Sequence, residues 1–313
     1  MLPDDLAGMN EVANAVRFAD GEQWVSSLDQ FREYYEHLPN CDPATDIVVA
    51  EREGRLVGYG RTAWRDTAGE ERRYEQTTFA RPEEGAELLN SLMEAMELRS
   101  RDIAAAHPAS PKAFYAESTD KATTRLQLLA TRGYQPVRYF FSMVRPNVNE
   151  LPDAPLPAGL EVREVQPDQL RAIFDAEYEC MSDGWEYTVP TEEDFEYFVN
   201  DPVQGDYTLW RVAWDGDQVA GFVRGYINEL ENETYRRKRG WVENINTRRP
   251  WRRRGLARAL IGQTISALRE RGMTEAALGV DSENPSGALH LYESCGFAAV
   301  SREATYRKPL VER

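Results

Sequence analysis

Histidine and cysteine are scarce in this chain of 313 residues, with three of each. Cys41, Cys180 and Cys295 lack the spacing of metal ligands, and an odd, scattered set supplies no disulfide framework. With so few imidazoles, no zinc site is expected. Basic charge is also in short supply. The 37 Lys and Arg stand against 53 Asp and Glu, a formal net charge of −16, which argues against nucleic acid as a partner. No apolar run approaches the length of a membrane span. The opening Met-Leu-Pro-Asp-Asp has neither the basic start nor the apolar core of a signal peptide. The expectation is a cytoplasmic protein with no membrane partner.

What is present suits packed cores: 42% hydrophobic residues, 11% of the chain aromatic. The length fits two domains of roughly 150 residues each. Pro146, Pro152, Pro155 and Pro157 mark an extended connector near the middle. The expected division is therefore residues 1–145, a connector at 146–159, and residues 160–313. The two halves repeat one pattern. Gly21 and Gly184, Gly58 and Gly221, and Gly133 and Gly296 all stand 163 residues apart, each within a short similar segment. One offset recurring at three separated places indicates a tandem duplication, with a period far too long for a solenoid.

Each half opens with a helical, acidic and aromatic segment, followed by two strands around a tight turn. These strands are predicted at Asp46–Arg52 and Leu56–Trp64, around Glu53-Gly54, and at Tyr207–Trp214 and Gln218–Tyr226, around Asp215-Gly216. A third strand, a long helix, a fourth strand, a short helix and a final strand complete each copy. Strands interleaved with helices predict a layered α/β fold.

The chain is organised around Gly240–Gly262. Trp241 to Thr247 reads as a strand. Beyond it, Ala257, Leu260, Ile261, Ile265 and Leu268 fall on one helix face. Between the two lies Arg252-Arg253-Arg254-Gly255-Leu256-Ala257. A strand that breaks into a helix through glycine offers free backbone N–H groups at a positive helix end, and flanking arginines add attraction for phosphate. Downstream, within Leu278–Phe297, a predicted strand is followed by Asn284, a short helix carrying Tyr292, and Gly296-Phe297.

These two segments, in this order and spacing, resemble the GCN5-related N-acetyltransferase (GNAT) superfamily, in a tandem two-domain arrangement similar to that of the mycothiol synthases. The resemblance covers about the last half of the chain directly. It implies two tandem acyl-CoA N-acyltransferase folds, each with a mixed, mostly antiparallel sheet flanked by helices. It also implies transfer of an acetyl group from acetyl-coenzyme A, as co-substrate, to a primary amine of a small molecule or peptide. The family's pyrophosphate loop falls on Arg252, Arg253, Arg254, Gly255, Leu256 and Ala257. Its pantetheine-binding strand edge falls on Ile245, Asn246 and Thr247, and a further cofactor contact on Asn284. Tyr292 takes the place of the general acid that protonates the departing thiolate, or is an ordinary core aromatic. Glu243 takes that of the base, acting directly or through water, or is a solvent-facing carboxylate at a strand end. Strand alternation puts Glu243 on the face of Ile245 and Thr247. Asn284 and Ser286 are equally a turn and a helix-start residue, and His290 reads as a surface or packing residue.

The first half lacks the site. Opposite the arginine turn it has Ala80-Arg81-Pro82-Glu83-Glu84-Gly85-Ala86, whose carboxylates repel a pyrophosphate, and Leu129 stands where Tyr292 does in the second half. It is expected to bind no coenzyme A and to shape the substrate cleft. The segment from Phe174 to Asn200 is rich in carboxylates and aromatic rings, which suits a cationic amine but equally a solvated surface. Aminoglycosides, polyamines and peptide N-termini all remain open as acceptors. A non-catalytic acetyl-coenzyme A sensor or an interaction scaffold is the alternative, and the protein is a monomer or a homodimer.

Overall fold

The computed structural model describes residues 5–67, 71–108, 110–150, 154–185, 187–284 and 287–311. Contacts divide the chain into two compact units, one of residues 1–139 with 302–313, the other of residues 140–301.

In the first unit, helices α1 (Asp5–Ala19) and α2 (Leu28–Glu36) lead into strands β1 (Ile47–Arg52), β2 (Arg55–Asp66) and β3 (Arg72–Ala80). Helix α3 (Gly85–Ala105), strand β4 (Lys112–Thr119), helix α4 (Thr123–Thr131) and strand β5 (Gln135–Arg145) follow. The β1–β2 turn is the one predicted: Glu53 and Gly54 both have positive φ, 52° and 75°, the conformation that a two-residue hairpin loop of this twist requires. The second unit contains β6 (Glu161–Arg163), α5 (Leu170–Met181), α6 (Glu192–Asn200), β7 (Arg211–Asp215) and β8 (Gln218–Tyr226). It continues with α7 (Glu229–Thr234), β9 (Arg239–Thr247), α8 (Leu256–Glu270), β10 (Glu275–Asp281), α9 (Ala288–Ser294) and β11 (Ala298–Pro309). Tyr207–Leu209, predicted as strand, is a 3-10 turn instead, capped by the Asp206 carboxylate accepting from the Thr208 N–H.

The strands of each unit pair in a mixed, mostly antiparallel pattern. In the first unit β2 pairs antiparallel with β1 and β3, β3 runs parallel to β4, and β4 pairs antiparallel with residues 303–309 of β11. In the second, residues 140–145 of β5 pair antiparallel with β10, β10 runs parallel to β9, and β8, β7 and β6 follow antiparallel. Each unit is thus closed by the last strand of the other half of the sequence. The apolar residues explain it: Met143 of β5 is buried in the core formed by β8, β9, β10 and α8, while Tyr306 and Leu310 pack against the first unit's core around Tyr74, Phe114 and Leu129.

The connector is not a free spacer where it is described (Pro152 lies outside the described residues). Val148 is buried in the second unit's core, Leu156 packs against it, and Arg145 Nε donates to Asn147 O at 2.7 Å. Helix α8 buries Leu256, Leu260, Ile261, Ile265 and Leu268 against β8 and β9; four of these are on the face its spacing predicted, while the fifth predicted residue, Ala257, is only half-buried. Phe174, Phe198, Trp210 and Phe222 form a second cluster on the opposite side of the sheet, under α5 and α6.

Candidate active site

Strand β9 carries one residue more than β8 across a short stretch. Phe222 lies opposite Asn246 and Arg224 opposite Glu243, so two residues, Asn244 and Ile245, face Val223. Asn244 absorbs the extra residue with φ of 49°, a left-handed conformation that asparagine tolerates better than most side chains. This bulge corrects one expectation. Glu243 does not share a face with Ile245 and Thr247. Its cross-strand partner Arg224 lies over Phe198 and Trp210 on the α5–α6 side, whereas Ile245 packs into the core beneath α8.

The bulge also opens the sheet. The parallel β9–β10 ladder runs only from Arg239 opposite Glu275 to Trp241 opposite Ala277, so the β10-facing edge of β9 from Glu243 to Thr247 has no ladder partner. At the next position the Gly279 N–H donates to Glu243 Oε1 at 2.8 Å. Glu243 is half-buried, and the loss of water around its carboxylate pushes its pKa up to about 8 against the opposing effects of the Gly279 and Asn244 N–H groups and Arg224. Tyr292, on α9, is buried to 7% exposure, and its hydroxyl has no hydrogen-bond partner among the described residues. Burial raises its pKa well above the ordinary phenol range, and the Glu243 carboxylate, within electrostatic reach, adds to the rise. The phenol therefore stays protonated and the carboxyl titrates near neutrality.

After β9 the chain makes a 3-10 turn at Arg249–Trp251 and enters α8 through Arg252 to Gly255. Arg253 and Gly255 both have positive φ, 61° and 84°. Alternating handedness of this kind turns successive N–H groups toward one point and makes an anion cradle at a helix start. Nothing lies within 4 Å of the position a Gly255 side chain would take, so space is open there. Arg253 and Arg254 are exposed and have no ion-pair partner among the described residues. Leu256 is buried, fixing the start of α8, and Ala257 is half-buried. The donor set thus fits a phosphate, and the edge at Ile245, Asn246 and Thr247, which lacks a ladder partner on its β10 side although the Thr247 carbonyl accepts from Arg252 Nε, fits an extended amide-bearing arm.

Arg252 is differently placed. Its Nε donates to Thr247 O at 2.9 Å and its Nη1 to Asp183 Oδ2 at 2.8 Å. Arg249 also pairs with Asp183, and Arg248 Nε donates to Glu179 Oε2 at 2.8 Å. Asp183 and Glu179 belong to the acidic segment, and nothing in local spacing ties them to residues 66 and 69 positions downstream, so the sequence carries no signal for these contacts. That segment's charge is largely engaged within the fold. Glu177 pairs with Arg224, Glu192 with Arg171, and Asp194 caps α6 at Thr191, while Asp175 and Glu193 are exposed; Glu186 lies outside the described residues. Asn284 is exposed, its N–H bonded to Asp281 O at 3.1 Å. Ser286 lies outside the described residues, and His290 sits at the surface beside Glu293.

Residues 169–297 match the sequence model of the acetyltransferase (GNAT) family. These residues form a GNAT domain. The whole chain shares its fold with solved GNAT structures. A GCN5-related N-acetyltransferase from Sphaerobacter thermophilus is 24% identical, with 99% of this chain and 94% of that one covered and a TM-score of 0.70. A tandem GNAT protein from the clavulanic acid biosynthesis pathway is 14% identical, with 99% and 97% covered and a TM-score of 0.67. A GCN5-related N-acetyltransferase from Kribbella flavida is 16% identical, with 95% and 96% covered and a TM-score of 0.53. No curated protein sequence matches this one. No helix among the described residues is long and apolar enough to cross a membrane.

Set beside the GNAT domain, the first unit is built differently at each corresponding point. Ala80 lies opposite Gly58 as Thr247 lies opposite Gly221, and the β2–β3 register runs from there to Asp66 without a bulge. Thr78 is thereby the counterpart of Ile245. Arg125, at the start of α4, donates from Nη1 to Thr78 Oγ1 at 3.2 Å and from Nη2 to Thr78 O. A buried guanidinium thus takes up the carbonyl that the GNAT domain leaves unpaired toward β10. Leu129 is fully buried in the core.

Proposed function

We propose that the GNAT domain transfers an acetyl group from acetyl-coenzyme A to a primary amine of a small molecule or peptide. The observation that carries this reading is the pairing, across the open β9–β10 edge, of a carboxyl that titrates near neutrality with a buried, protonated phenol that has no hydrogen-bond partner among the described residues. Glu243, once ionised, removes a proton from the incoming ammonium, directly or through water, so that a neutral nitrogen attacks the thioester carbonyl. The new C–N bond forms as the C–S bond breaks. Tyr292 gives its proton to the departing sulfur, the acylated nitrogen gives up its second proton to solvent, and Tyr292 is reprotonated from solvent. The N–H groups of the Arg252–Ala257 turn hold the pyrophosphate, with Arg253 and Arg254 supplying attraction, and the β9 edge at 245–247 aligns the pantetheine arm. Alignment of this kind accounts for a large part of the acceleration in a two-substrate transfer.

The test is release of coenzyme A thiol from acetyl-coenzyme A across a panel of amines, with calorimetric binding of acetyl-coenzyme A alongside. Turnover with at least one amine, lost on Tyr292→Phe with binding retained, supports catalysis. Binding without turnover for any amine favours the sensor, and absence of binding removes the acetyltransferase reading. The first unit, with Arg125 across its strand gap, is read as the non-binding partner of the pair.

A further inference from the structure

The arginines of the turn divide into two sets. Arg253 and Arg254 point to solvent, whereas Arg249 and Arg252 converge on one carboxylate. Arg249 reaches Asp183 through Nε at 3.3 Å and through a second, shorter contact from Nη2, and Arg252 reaches it through Nη1 at 2.8 Å. Arg252 is held at its other end too, with Nε on Thr247 O at 2.9 Å. Its guanidinium therefore spans from the end of β9 to the segment after α5. The two arginines hold the Asp183 carboxyl down at about 2, Arg249 contributing most, so the contact stays ionic throughout the neutral range.

The turn needs such a hold. Arg253 is a non-glycine residue at φ of 61°, a strained conformation that persists only where its surroundings enforce it. No side-chain hydrogen bond caps the α8 N-terminus at Gly255; buried Leu256 anchors the helix start but not the residues before Gly255. The residue immediately before Arg253 is the one tied at both ends.

We propose that Asp183 is a positioning residue for the phosphate-binding turn: by gripping Arg249 and Arg252 it fixes the backbone from Arg252 to Gly255 in its anion-accepting form and ties that turn to the segment following α5. The step rests on the reading of this turn as the coenzyme A site. A carboxylate there also lowers the local positive potential, which by itself would weaken phosphate binding. The two effects have opposite signs, and the geometry favours the first, because Asp183 engages the two arginines that are tied to the fold and leaves Arg253 and Arg254 for a ligand.

The experiment uses the intact protein with Asp183→Ala and Asp183→Asn. Calorimetric titration with coenzyme A is expected to show about tenfold weaker binding for Asp183→Ala and a smaller loss for Asp183→Asn, which keeps one acceptor oxygen. With an amine that turns over, KM for acetyl-coenzyme A rises while kcat stays within about twofold, a split that general destabilisation would not give. Equal or tighter binding by Asp183→Ala overturns the proposal. Amide exchange in the ligand-free protein tests the strut by itself. Exchange at residues 252–256 is expected to accelerate in Asp183→Ala while residues 260–268 keep their protection, and unaltered exchange overturns the proposal whatever the binding result. Wild-type protein that binds no coenzyme A, together with accelerated exchange in the variant, removes the functional reading and upholds the strut.

Discussion

The Gly279 N–H donates to the Glu243 carboxylate at 2.8 Å, at the rung where a continued β9–β10 ladder would have met backbone. One side chain both ends the pairing and stands in for it. The arrangement gives the half-buried Glu243 a fixed orientation, and its raised pKa follows from the partial loss of water there.

The first prediction concerns pH. Glu243 titrates at about 8 in the folded protein and in the ordinary carboxylate range when unfolded. Between those values the folded state keeps a proton that the unfolded chain has lost. Its contribution to stability is therefore fully present below the unfolded value and is lost as pH rises through about 8. Glu243→Gln is expected to raise stability at pH 8 by about 1–3 kcal/mol, a range reduced to allow for partial exposure. Catalysis should follow the opposite course, with kcat/KM rising as pH passes about 8 and that limb removed in the variant. Thermal unfolding from pH 5 to 9 and a pH–rate profile check both; a variant with unchanged pH dependence would exclude Glu243 as the titrating group.

Tyr292→Phe separates chemistry from packing. The hydroxyl has no partner among the described residues, so its loss leaves little unsatisfied, and Tm is expected to move by no more than a few degrees. If Tyr292 supplies the proton, kcat falls by about 10²-fold or more, while acetyl-coenzyme A binding stays near wild type. Stopped assays of thiol release at saturating co-substrate make the comparison.

Much of this was legible in the sequence. The strand-to-helix passage through the arginines, the helix face from Leu260 to Leu268 and the two hairpin turns carry local signals of period and turn chemistry and lie where those signals put them, although the first strand of the second hairpin begins only at Arg211. The bulge at Asn244 left only a faint trace, in that Val242 and Ile245, three apart, both pack into the core beneath α8, which an unbroken strand would not allow; its place is shown by the register with β8. The contacts of Asp183 and Arg125 were not legible, because they depend on long-range placement. The exchanged final strands escaped notice for a related reason: Met143 and Tyr306 look alike as strand residues whichever core receives them.

Charge reversal in the turn should divide along the same line as the side-chain contacts. Arg253→Glu and Arg254→Glu remove no internal partner, and reversal of an exposed charge changes stability by less than about 0.5 kcal/mol. Each is expected to weaken coenzyme A binding by about tenfold at low salt, with the difference shrinking as ionic strength rises. Arg252→Glu also breaks the ties to Asp183 and Thr247 O, so it lowers Tm as well as affinity. Calorimetry at two salt concentrations, with thermal unfolding of each variant, distinguishes the two classes.

The closing strands yield the last prediction. Residues 303–309 pair along β4 from Thr119 to Ala113, and Arg307 pairs with Glu71, whose Oε1 also accepts from the Tyr115 hydroxyl at 2.7 Å. A fragment of residues 1–145 therefore exposes the full edge of β4 while carrying the apolar end of β5, which the second unit's core normally buries. An unpaired central edge of that kind recruits other chains. The fragment is expected to aggregate or to unfold at a markedly lower temperature than a circularly permuted first unit, in which residues 302–311 are joined ahead of residue 5 and the chain stops at Tyr139. Sedimentation and thermal unfolding of the two forms decide it. If the 1–145 fragment is monomeric and as stable as the permuted unit, the strand from the far end of the chain is dispensable, and the first half folds on its own sequence alone.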